Sequence, residues 1–134
     1  MNKDNSIQLL IETLVLIDGA YAPATIRAYK SNFERFIFYC DSTNVNALPA
    51  DSETIAKFIQ KLTASNLKSA SIRLAVASIS TIHKLNQLTD PTQFPPSKLE
   101  LRRMHRALGR ESKQALGINA LTLEKMIGST VVSP

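Results

Sequence analysis

The stretch that decides the fold is Pro23-Ala-Thr-Ile-Arg-Ala-Tyr-Lys-Ser-Asn-Phe-Glu-Arg-Phe-Ile-Phe-Tyr-Cys40. Within it Ile26, Tyr29, Phe33, Phe36, Ile37 and Cys40 recur at steps of three and four. That period belongs to a helix with one face turned to a core. Pro23 suits the first turn, where a missing N–H leaves nothing unpaired. Arg27, Ser31 and Arg35 lie one turn apart on a different face.

The same period recurs on both sides. Ile7, Leu10, Ile11, Leu14 and Val15 predict a preceding helix over about Ser6 to Ile17, stopped at Gly19. Downstream, Asp51 or Ser52 caps a helix to Ser65 through Ile55, Phe58, Ile59 and Leu62, with Asn66 as its stop. Lys68 and Ser69 lead into a fourth helix ending near Gln87, with Ile72, Val76, Ile79 and Ile82 inward. That helix is rich in small residues (Ala70, Ser71, Ala75, Ala77, Ser78, Ser80), which permit close approach of another helix or of a DNA backbone. After Pro95-Pro96, a fifth helix is predicted from Ser97 to Glu111, with Leu101, Met104 and Leu108 inward. Arg102, Arg106 and Arg110 follow at four-residue steps beside Arg103. Four glycines and no strand-like alternation make the chain all-α, a compact bundle of four to five helices.

With 134 residues, 44% of them hydrophobic, the chain suits one domain with a core of its own. Its single cysteine, Cys40, allows no internal disulfide and fits a reduced, cytoplasmic setting. No apolar run spans a membrane, and the polar start is unlike a signal peptide. The net charge of +5 favours an acidic partner, nucleic acid first. That charge is polarised. From Ser97 to Lys113, six basic residues (Lys98, Arg102, Arg103, Arg106, Arg110, Lys113) face only Glu100 and Glu111. From Met1 to Ala22, Lys3 stands against Asp4, Glu12 and Asp18.

Thr25-Ile-Arg-Ala-Tyr29 followed by Phe33 and Phe36 resembles the T-x-x-x-Y-x-x-x-[FL]-x-x-F signature of the core-binding domain of tyrosine recombinases, the phage-integrase family. Ser71-Ile-Arg-Leu-Ala-Val-Ala-Ser-Ile-Ser-Thr-Ile-His83 is similar to that family's next helical run. Lys113-Gln114-Ala115-Leu116 with Leu121-Thr122 resembles its linker and the first helix of its catalytic domain. The resemblance implies a SAM-like bundle over residues 1–112, then a linker and truncated start of the catalytic domain over 113–134. It also implies a clamp around double-stranded DNA, with other recombinase subunits as partners in a synaptic tetramer.

Each expected DNA contact has a plainer reading beside it. Arg27, Ser31 and Arg35 suit phosphate and guanine contact, or form a solvated face that Glu34 partly neutralises. Thr25 bonds a phosphate or supports the helix start. Lys68, Ser69 and Ser71 suit phosphate at the start of the fourth helix, and Ser78 matches a family position that meets the groove. Arg102, Arg103, Arg106 and Arg110 bind phosphate, pair with a partner subunit or only solubilise, and Lys113 and Gln114 lie in the linker. Small or apolar side chains at Ala70 and Leu74 leave base reading by the fourth helix in doubt.

The family's cleavage chemistry needs an arginine, a lysine, a His-x-x-Arg motif and a tyrosine nucleophile. Here His83 is followed at that spacing by Asn86, and His105 by Leu108. No catalytic residues are therefore assigned, and the fragment is not expected to be an enzyme. No zinc spacing, phosphate loop, cofactor or small-molecule site is legible. The expected function is DNA binding at a recombination half-site. The alternative is a helical interaction module whose basic fifth helix docks an acidic protein.

Overall fold

The computed structural model describes residues 3–109. Five α-helices follow one another: α1 (Lys3–Leu16), α2 (Pro23–Thr43), α3 (Ser52–Ala64), α4 (Ser69–Leu85) and α5 (Pro95–Met104). A 3-10 turn, Pro91–Gln93, precedes α5, and a π turn, His105–Gly109, closes it. No strand occurs among the described residues. The protein is an all-α bundle, as the periodicity implies.

Helix ends have local causes. The Asp51 carboxylate accepts the Thr54 N–H at 2.8 Å and caps α3. Asn44 ends α2 in the left-handed region, φ 62°, where its N–H reaches the Asp41 and Cys40 carbonyls. This carries α2 three residues beyond the expected Cys40. Asparagine does here what glycine more often does. Two helices depart further from expectation. α5 begins at Pro95 and its α-helical part ends at Met104, well before Glu111. A π turn then carries Arg106, which is exposed like Arg102. In α1 the buried residues are Ser6, Leu10 and Thr13, and of the expected stripe Ile7 and Leu14 also pack against the core. Ile11 is 48% exposed and Val15 71%. Ser6 and Thr13 share the inward side with Leu10, and Thr13 Oγ1 accepts from Asn86 Nδ2 at 3.0 Å, which leaves Ile11 and Val15 on the solvent side.

Phe33, Phe36 and Ile37 of α2 meet Phe58 and Ile59 of α3 and Ile72, Ile79 and Ile82 of α4 in one core. Phe36 and Phe58 lie edge to face at 5.1 Å between centroids. α5 packs along α3. The two helix starts are tied together: the Ser97 N–H donates to Ser52 Oγ at 3.1 Å, and Ser97 Oγ donates to the Pro91 carbonyl at 3.0 Å.

His83 is a second tie. It is wholly buried. Its Nδ1 lies 2.8 Å from the Ile79 carbonyl, and its Nε2 accepts the Ala50 N–H at 3.0 Å. Because a carbonyl only accepts, Nδ1 carries the proton and the ring is neutral. Burial lowers its pKa, against the hydrogen bond to Ile79 and the charge of Asp90. The ring thus fixes the end of α4 to the loop that leads into α3.

Candidate nucleic-acid interface

The outer face of α2 is set by what its inner face buries. With Phe33, Phe36, Ile37 and Cys40 committed to the core, Arg27, Ser31 and Arg35 project into solvent. Lys30 Nζ pairs with Glu34 at 3.0 Å on the flank of this face. Among the described residues Arg27 and Arg35 have no such partner. The carboxylate expected to neutralise the arginines is therefore held by a lysine. Thr25 is half-buried in the first turn, and the N-cap residue Ala22 offers no side-chain cap.

A second basic group forms where α4 begins. Lys68 and Ser71 are exposed and Ser69 is half-buried. Ser69 Oγ lies 3.4 Å from His105 Nδ1, which brings the start of α4 to the π turn that carries Arg106. The first-turn N–H groups of α4 have no side-chain cap at Lys68, so they add positive potential there. Arg102 and Arg106 are exposed. Arg103 is exposed but bound to Glu100 at 2.9 Å, and Glu100 also accepts from Gln60 at 3.2 Å. Its charge is largely spent on the seam between α3 and α5.

Ser78 is removed from the expected set. It is 0% exposed, and its hydroxyl donates to the Ala75 carbonyl at 2.6 Å. Its position in α4 is one turn before Ile82, on the inward side. Arg110, Lys113 and Gln114 lie outside the described residues, as does the helix predicted after Thr122.

Sequence reasoning passed over Phe38. It is 54% exposed and stands on the outer face of α2, one turn past Arg35 and two past Ser31. Lys3 Nζ sits 5.3 Å from its ring centroid. The spacing from Ser31 carried the signal, but an aromatic next to a core residue reads first as core.

Among the described residues no group of His, Cys, Asp and Glu is arranged to hold a metal ion. Cys40 is buried, and that burial pushes its thiol up to about 12, far from a nucleophile's range. Tyr29 packs edge to face on Tyr21. Among the described residues no helix is long and apolar enough to cross a membrane.

Comparison with known families agrees with the fold. The family described as "Phage integrase, N-terminal SAM-like domain" matches residues 7–88. The chain belongs to the phage integrase family. No curated protein matches it. The matched segment of this integrase domain takes in α2, α3 and α4 with most of α1, and stops short of α5. The α2 face and the start of α4 therefore lie inside the family domain, and the arginines of α5 lie beyond it.

Proposed function

We propose that this integrase domain grips double-stranded DNA at a recombination half-site, and that α2 presents its outer face to the duplex. The observation that carries the reading is the pair of exposed arginines, Arg27 and Arg35, without carboxylate partners among the described residues, while Lys30 takes up Glu34. Arginine binds phosphate and can read guanine in the major groove. Lys68, Ser69, Ser71, Arg102 and Arg106 supply a second set of backbone contacts, which position the protein without reading sequence. Thr25, beside the uncapped start of α2, joins them. Residues 1–112 serve as the DNA-binding domain, with Lys113 and Gln114 opening a linker along the duplex. Strand cleavage belongs to a separate catalytic domain, so this chain alone leaves DNA intact. The setting is cytoplasmic, with no cofactor.

Other recombinase subunits are the second class of partner. The exposed row Ile11, Val15 and Leu16 on α1 favours this, since contiguous apolar surface marks docking sites. This row, not the basic fifth helix, is the stronger argument for a protein partner.

Fluorescence anisotropy on a duplex of random sequence tests the reading. Wild-type affinity should fall steeply with salt, because each neutralised phosphate adds about −0.9 to the log–log slope. The Arg27→Ala/Arg35→Ala double variant should bind more weakly and flatten that slope by roughly two units. Equal slopes for both proteins would remove α2 from the interface.

A further inference from the structure

We infer that Phe38 is a base-reading residue of this domain, one that contacts a thymine methyl group in the major groove. The inference rests on the proposed role of α2 in holding a duplex. Phe38 has the least expected environment on that helix. It is 54% exposed while its neighbours Ile37 and Cys40 are buried, so the core does not account for it. It shares the outer face with Arg27, Ser31 and Arg35.

Charge explains what this face fits. Each acidic residue on its flank has a lysine beside it: Glu34 with Lys30 at 3.0 Å, Asp41 with Lys3 at 4.0 Å. The stripe between is left with two arginines and one aromatic ring. An acidic protein would meet the arginines but leave the ring exposed. A duplex major groove offers both anionic walls and, on its floor, one apolar group, the thymine C5-methyl. From Arg27 to Phe38 the helix rises about 16 Å, a length that groove accommodates. Lys3 lies over the ring and keeps the Asp41 carboxylate from opposing the duplex.

The 134-residue chain is tested by selection from a randomised duplex pool, with anisotropy on the selected duplex. Wild type enriches thymine at one position, and Phe38→Ala loses that preference while keeping the others. On the selected duplex Phe38→Ala binds roughly five- to tenfold more weakly with its salt slope unchanged, since no charge is lost. Replacing that thymine by uracil, which lacks only the methyl group, weakens wild type similarly and leaves Phe38→Ala unaffected. An unchanged thermal midpoint shows that the variant folds. Identical selections and affinities for the two proteins, with the arginine variants still flattening the salt slope, would overturn the role of Phe38 and leave the DNA reading intact. Absence of wild-type binding at low salt would overturn both.

Discussion

Lowering the pH should weaken this fold through one residue, His83. The ring is buried, donates from Nδ1 to the Ile79 carbonyl and accepts the Ala50 N–H at Nε2. A second proton would sit on Nε2, facing that N–H. The bond would become a repulsion, and a charge would be buried among Phe33 and its neighbours. Burial accordingly lowers the folded-state pKa below the usual histidine value. The unfolded chain therefore takes up the proton first. Stability is complete above the unfolded pKa of about 6.5 and declines below it, by up to about 1.4 kcal/mol per pH unit. The decline ends once the folded ring also protonates. At about pH 5 the loss reaches at most about 2 kcal/mol, a large share of the stability of a small domain. Asp51 and Asp90 do not obscure this window. Backbone and side-chain hydrogen bonds from Thr54 lower Asp51. Burial raises Asp90, but bonds from Ser80 and Thr92 outweigh it and leave it lowered. Both contributions are lost only as pH falls below about 4. Urea unfolding followed by circular dichroism, from about pH 7.5 down to about 5, measures the slope. His83→Gln keeps a donor and an acceptor but cannot titrate, so it should be less stable at neutral pH and flat through the window. Parallel curves for wild type and His83→Gln would refute the reasoning.

Other outcomes follow from the packing. Phe58→Ala, which opens a cavity against Phe36 and Tyr39, should cost about 3–5 kcal/mol in urea unfolding. Asp51→Ala removes the cap of α3 and should cost about 1 kcal/mol, lowering the thermal midpoint by several degrees. Native Cys40 should resist a thiol reagent at neutral pH and react once the chain is unfolded in denaturant, because burial holds its pKa at about 12. Val15→Lys should leave the thermal midpoint nearly unchanged, because the side chain is exposed. If α1 docks another subunit, the same change should reduce assembly on DNA in a gel shift.

The sequence by itself determined the all-helical class, the core faces of α2, α3 and α4, and the Asp51 cap of α3. These depend on local spacing, and each strong stripe occupies one side of its helix. Arg27, Ser31 and Arg35 were legible for the same reason: a face opposite Phe33 and Phe36 has only solvent to meet. Tertiary structure alone decided the rest. In α1 the apolar stripe was real, yet close approach to α4 through Thr13 and Asn86 turned Ile11 and Val15 outward. Ser78 read as a surface serine until α4 packed against its neighbours and its hydroxyl turned to the Ala75 carbonyl. The α-helical part of α5 gave way to a π turn after Met104, a change of winding that residue spacing does not reveal. The neutral state of His83 depends on Ala50, 33 residues away. Periodicity reports which residues share a face. Only the neighbouring helices decide how much of that face is covered, and by which groups.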